Sequence, residues 1–230
     1  MHPLKFGMAT VDGADADTRS THLAATIGAF DVPLKHDRPW TTSRGDGLDG
    51  PRVTFHFDQH NPTGPSPKWL IAHWLDDLWI EQNADHPLAK VKAAFAACKH
   101  LQAVMHGSET MDRFAGGPSH FTGDTRQAAC MIGLGHQCTG WSRDGDVWLW
   151  HFDQSAASDL ALFEDANLCD VLPTEPIAYI RAALWNHKIC VDICKNVQFA
   201  RVEHRGRIAL VPANAGSREV ELYERKLYRK

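Results

Sequence analysis

RVTFHFD, residues 52–58, sets Val53, Phe55 and Phe57 against Thr54, His56 and Asp58. Alternation with a period of two is the mark of a strand with one buried face. HNPTGPSP (60–67) follows and is turn chemistry, with Ser66 placed to cap a helix and Pro67 suited to its first position. WLIAHWLDDLW (69–79) then puts Leu70, Ile71, Trp74, Leu75, Leu78 and Trp79 on one stripe at helical spacing. A strand, a turn and an amphipathic helix in succession point to an α+β class.

The same reading extends in both directions. Leu88, Val91, Phe95, Cys98, Leu101 and Met105 keep helical spacing up to Gly107, which predicts a helix over 88–106. Residues 108–125 read as loop, TRQAACMIG (125–133) as a strand, and 158–172 as mixed. WSRDGDVWLWHFD (141–153) is a hairpin with Asp144-Gly145 at its turn, and NVQFARVEHRGRIALVP (196–212) a second one around Arg205-Gly206. PIAYIRAALWN (176–186) opens a helix with Pro176. The expected architecture is a mixed β-sheet packed against several helices. Residues 1–50 form an N-terminal arm with a short helix near 22–30, and 51–230 a single α+β domain.

The chain has 230 residues, 43% of them hydrophobic and 23% charged, values that exclude disorder and fibrous repeats. No apolar run approaches the ~20 residues that span a bilayer, so a membrane partner is not expected. The formal net charge of -4 removes any global attraction for a nucleic-acid polymer. Eight Trp supply a large core, and 14 His hint at a polar cleft.

Six cysteines stand at 98, 130, 138, 169, 190 and 194. With no signal peptide in front of them, reduced thiols and a cytoplasmic setting are the expectation. His187, Cys190 and Cys194 share one helical stripe. A buried helix face accounts for that stripe better than a metal site, and no metal is expected. The tetrapeptide HFDQ occurs at 56–59 and again at 151–154. The strands around the two copies do not otherwise match in sequence, so the pair reads as coincidence on two half-buried strands and not as a duplicated module.

Four features stand in a fixed order: Asp76 in DDLW, Arg126 in TRQA, Cys138 ahead of the Asp144-Gly145 turn, and Ser158, Asp159, Leu162 and Asn167 as S-D-x-x-L-x-x-x-x-N-L. Over residues 50–205 this order resembles the thymidylate synthase superfamily, which includes the pyrimidine-nucleotide hydroxymethylases of phages. The resemblance implies a thymidylate-synthase-like fold, a homodimer, and a pyrimidine nucleotide such as dUMP as substrate. It implies methyl or hydroxymethyl transfer to carbon 5, with methylene-tetrahydrofolate as the one-carbon donor. By the same resemblance Cys138 is the catalytic nucleophile, Asp76 the catalytic acid/base, and Arg126, Ser158 and Asn167 hold the substrate. Asp159 falls at the cofactor-binding position, and the Trp-rich strand 147–152 would supply apolar area to the dimer interface. The chemistry is covalent catalysis by a thiolate, which a nearby cation such as Arg126 would favour.

Two other readings stay open. AVMHGSE (103–109) with GGPSHFTGD (116–124) resembles ADP-ribosyltransferases, which would make His106, Ser108 and Glu221 an NAD site; the helical spacing of 88–106 instead makes His106-Gly107 a helix end. The family's Arg before Ser158, Gly after Leu162 and His-x-Tyr pair are missing here, which fits a non-catalytic phage or structural protein, or a nucleotide-binding paralogue, on the same scaffold.

Overall fold

A computed structural model describes residues 16–32, 34–35, 40–43, 52–58, 64–165, 168, 172, 174–194, 199–204 and 207–212. The chain divides into two compact units. Unit 1 is Met1–Asp77 with Trp185–Lys230, and unit 2 is Leu78–Leu184. Helices and small antiparallel sheets make the class α+β. The single mixed sheet expected from sequence is corrected: the described strands form three separate sheets with antiparallel strand pairings, and one isolated parallel bridge joins Arg113 to Trp141.

Unit 1 opens with β1 (Ala16–Thr18), α1 (Thr21–Ala29), β2 (Trp40–Ser43), β3 (Arg52–Phe57) and α2 (Pro67–Leu75). The sheet order is β1-β3-β2, so the last strand lies in the middle. The alternation of RVTFHF works as expected, with Val53, Phe55 and Phe57 buried on one face. They share the unit's core with Leu23 and Ile27 of α1 and Leu70 and Ile71 of α2. Fully burying such side chains stabilises by roughly 1.5–3 kcal/mol each. Ser66 caps α2 by accepting the Trp69 N–H at 3.2 Å, and Pro67 takes the first turn. The predicted helix 69–79 breaks at Asp76, whose backbone is extended, and α3 (Asp77–Gln82) starts afresh. Leu75 and Leu78 are thereby left 53% and 63% exposed, outside the stripe expected to bury them.

Unit 2 contains α4 (Pro87–Met105), β4 (His120–Thr122), α5 (Thr125–Leu134), β5 (Cys138–Asp144), β6 (Val147–Phe152) and α6 (Ala157–Glu164), which follows a single 3-10 turn at Gln154–Ala156. Its sheet runs β4-β6-β5. The strand expected at 125–133 is helix α5, and β4 lies inside the stretch read as loop. The physical reason is at the ends of α5. Asp124 caps it by accepting the Arg126 N–H at 2.8 Å, and Gly135 closes it in the left-handed conformation, φ 106. A short apolar run does not reveal its period, and these caps decide it. Gly133 lets α5 lie directly on α4: a Cβ there would be 2.7 Å from Ala94 Cβ and 2.9 Å from the Lys90 carbonyl.

The Asp144-Gly145 hairpin is as expected, with Gly145 at φ 59. Trp150 and Phe152 of β6 are fully buried inside the unit, while Val147 is exposed and Trp148 and Leu149 are half-buried. The helix opened by Pro176 is α7 (Pro176–Cys194), and the second hairpin is β7 (Phe199–His204) with β8 (Arg207–Pro212). Cys190 and Ile193 are buried in unit 1, with Cys190 on the apolar helix face proposed for the His187 stripe.

Candidate functional site

Cys138 begins β5 and is half-buried. Its Sγ lies 3.9 Å from Met111 Sδ and donates to the Gly140 carbonyl at 3.6 Å. Burial raises the thiol's pKa above the ordinary value, and hydrogen bonds with backbone at Gly140 and His151 offset only part of that rise. A nucleophilic cysteine needs the opposite shift. Arg126 stands in the first turn of α5, 3.8 Å from Asp124, and its charge is felt at Cys98, where burial again wins and raises the thiol. Ser158 and Asp159 sit in the first turn of α6, and Asp159 pairs with His136. Asp76 is the exposed residue that ends α2 in unit 1, its N–H donating to the His73 carbonyl at 3.3 Å. Asn167 lies outside the described residues, as does Glu221. His106 ends α4 on the solvent side and Ser108 Oγ donates to the Ala103 carbonyl, so HGS is a helix terminus.

Asp159 belongs to a polar chain. Its Oδ2 is 2.7 Å from His136 Nε2, His136 Nδ1 is 3.1 Å from Ser155 Oγ, and Ser155 Oγ donates to Asp153 Oδ1 at 2.5 Å. Asp153 also accepts the Ser155 N–H, and these two bonds hold its carboxyl below the usual range. A serine hydroxyl has one proton, and here Asp153 takes it. His136 bridges Ser155 and Asp159 and so ties the end of α5 to the start of α6; with the Ser155 proton held by Asp153, it is not a base drawing a proton from Ser155.

The other histidine of unit 2 is differently placed. His151 is on the central strand β6 and is 7% exposed. Its Nε2 is 2.7 Å from Ser142 Oγ on β5, and its Nδ1 is 3.0 Å from Ser119 Oγ just before β4. Burial lowers its pKa, so the ring is neutral at pH 7. A neutral imidazole has one N–H and one lone pair, so one serine donates and the other accepts. With Ser142 O–H donating to Nε2, the ring proton lies on Nδ1, toward Ser119. Phe114 stacks flat on the ring at 4.0 Å and 4°, and Phe121 flanks it at 5.7 Å. Gly140 makes this possible. Residues 112–114 run beside β5, and a Cβ on Gly140, at φ 140, would come within 2.8 Å of Phe114 N.

Unit 1 holds a related cluster. His56, on central strand β3, has Nε2 2.9 Å from Thr41 Oγ1 on β2 and Nδ1 2.8 Å from Asp17 Oδ1 on β1. The Asp17 contact is an ion-pair approach and not an aligned hydrogen bond, since Oδ1 is buried with no hydrogen-bond partner among the described residues. Sequence reasoning set aside the repeated HFDQ that carries His56 and His151 as coincidence, and it passed over Thr41, Asp17, Ser142 and Ser119. The signal that could have found them was the repeated HFDQ.

Among the described residues no three His, Cys, Asp or Glu side chains are placed to hold a metal ion, and no helix is long and apolar enough to cross a membrane. No family model matches the chain, and no curated protein or solved structure matches it.

Proposed function

We propose that unit 2 acts on a small ester or activated acyl compound through a histidine-activated hydroxyl, with Ser142 as nucleophile, His151 as general base and Ser119 as the group that orients the ring. The observation that supports this most directly is the neutral, nearly buried imidazole hydrogen-bonded to a hydroxyl on each nitrogen. Nucleophile, base and orienter within hydrogen-bond reach of one another are the minimum such chemistry requires. Ser142 Oγ attacks the carbonyl carbon and its proton passes to His151 Nε2. The leaving alkoxide departs with that proton. Water, deprotonated by the same nitrogen, then releases the carboxylic acid and frees Ser142. Phe114 and Phe121 beside the ring favour a flat apolar group on the substrate.

The competing reading is pyrimidine carbon-5 transfer by a Cys138 thiolate, and the burial of that thiol opposes it. One mass-spectrometric experiment decides between them. The intact chain is treated in one arm with a fluorophosphonate, which exchanges its P–F bond for a P–O bond to an activated serine and expels fluoride. In the other arm it meets 5-fluoro-dUMP with methylene-tetrahydrofolate. The expected result is a phosphonyl adduct on Ser142, lost in His151→Gln, and no nucleotide adduct. A nucleotide adduct on Cys138, or no adduct on Ser142, overturns the proposal.

A further inference from the structure

We infer that the chain is an internal duplication: residues 16–75 and 120–164 are two copies of one β-α-β-β-α module, and each copy carries an imidazole–hydroxyl pair at the same position in the sheet. Thr41–His56–Asp17 is thereby a second site of the same kind as Ser142–His151–Ser119.

Connectivity comes first. β1-α1-β2-β3-α2 and β4-α5-β5-β6-α6 run in the same order, and in each sheet the third strand of the module lies between the other two, antiparallel to both. Register then fixes the equivalences. Phe55 pairs with Thr18 on one side and Trp40 on the other, and Trp150 pairs with Thr122 and Trp141. Phe55 thus corresponds to Trp150, Thr18 to Thr122 and Trp40 to Trp141. One step along the central strand, His56 corresponds to His151, and both begin HFDQ. One step along the neighbouring strand, Thr41 corresponds to Ser142. Both are hydroxyls, and both meet Nε2 of their histidine, at 2.9 and 2.7 Å.

The helices agree independently. Thr18 and Thr122 are both buried, and the hydroxyl of each accepts the N–H two residues on, from Ser20 at 3.1 Å and Asp124 at 3.0 Å. Ser20 and Asp124 are the caps of α1 and α5, each followed by a helix that begins on Thr. THLAA (21–25) corresponds to TRQAA (125–129), and Ala24, Ala25, Ala128 and Ala129 are all buried. Two unrelated modules share a sheet order readily. They do not readily share a buried threonine bracing a cap, an Ala-Ala helix face, a Trp beside a hydroxyl and the same tetrapeptide in one register.

The copies differ where a duplicated site can drift. Asp17 stands where unit 2 has Phe121 in the pairing, so the second nitrogen of His56 faces a carboxylate while that of His151 faces Ser119. That the pair in unit 1 acts on substrate rests on the reading given for Ser142; the duplication does not.

The test uses the full chain with ¹⁵N-labelled histidine and long-range ¹H–¹⁵N spectra, which read the protonation of each ring nitrogen without reference to activity. Thr41→Val is expected to move Nε2 of His56 alone, and Ser142→Ala that of His151 alone. An Nε2 resonance unmoved by loss of its hydroxyl, or one histidine moved by loss of the other's hydroxyl, overturns the equivalence. Should either variant fail to fold, Thr41→Ser and Ser142→Thr, which keep the hydroxyl, are expected to leave both rings in place, and a displaced Nε2 resonance in them overturns it. A failed phosphonylation of Ser142 with both Nε2 shifts present removes the acyl chemistry and leaves the duplication standing.

Discussion

Gly140→Ala tests the architecture of the His151 centre most sharply. A methyl at that position meets Phe114 N at 2.8 Å, the Asp112 carbonyl at 2.9 Å and Phe114 Cα at 3.0 Å, all of them backbone atoms that no rotamer change can move. The backbone is also held at φ 140, where a non-glycine residue costs of order 1–3 kcal/mol. Overpacking against fixed atoms adds about 1–3 kcal/mol. Strand β5 can relieve the clash only by shedding residues 112–114, which donate and accept the hydrogen bonds Phe114 N–H to Trp141 carbonyl at 2.8 Å and Trp141 N–H to Asp112 carbonyl at 3.2 Å. The two costs together are about 2–6 kcal/mol, which lowers the folding equilibrium of unit 2 by roughly 30-fold or more. Urea unfolding followed by tryptophan fluorescence measures it through the midpoint at unchanged slope. The Phe114–His151 stack should loosen with it, and because burial is what lowers the His151 pKa, the ring should then titrate at a higher pH, closer to an ordinary imidazole. A change in stability below about 0.5 kcal/mol would refute the placement of 112–114 beside β5.

Other outcomes follow from named contacts. Gln127 is buried, accepts from Thr122 Oγ1 and donates to the Leu160 carbonyl at 2.9 Å, so Gln127→Ala strands two polar groups and should cost about 1–3 kcal/mol in the same assay. His187 is stacked on His22 at 4.2 Å, and burial, with a smaller contribution from His22, lowers its pKa to about 4. The folded state therefore holds fewer protons than the unfolded state between pH ~6.5 and ~4, so stability should fall as the solution is acidified across that window, by about 3 kcal/mol at most. His187→Gln should flatten that slope in denaturant titrations at stepped pH. Because burial raises the Cys138 thiol, alkylation of Cys138 by iodoacetamide should gain rate only above the pH at which a free thiol, pKa ~8.5, reacts, as peptide mapping of timed samples would reveal.

Much of the fold was legible where one physical signal ruled. The Val53-Phe55-Phe57 alternation, the Ser66-Pro67 helix start and the Asp144-Gly145 turn each express a local rule, and each is present. Residues 125–133 failed because Ala, Cys and Met tolerate either period; only Asp124 and Gly135, read as caps, separate helix from strand. The sites were harder still. His151 meets Ser142 across a strand pair and Ser119 from another segment, partners 9 and 32 residues away whose approach depends on sheet order. Matching HFDQ alone compares four residues, whereas the rest of the repeat is carried by Thr18 and Thr122, Trp40 and Trp141, and Ala24-Ala25 and Ala128-Ala129, spread across connections of unequal length. Linear comparison loses the frame at each connection, and the sheet register restores it.

The contact of α5 with α4 at Gly133 bears on how unit 2 opens. Where side chains interdigitate, helices can slide or part by degrees while rotamers adapt. Here the backbone of one helix rests against the backbone of the other, at Lys90 and Ala94, and nothing in between can yield. Such a joint is either shut or sprung. Amide protons across Val91–Leu101 and Ala128–Met131 would then exchange with solvent in one concerted event. α5, which also hands its capped start to β4 and its glycine end to β5, is the latch on which that event turns.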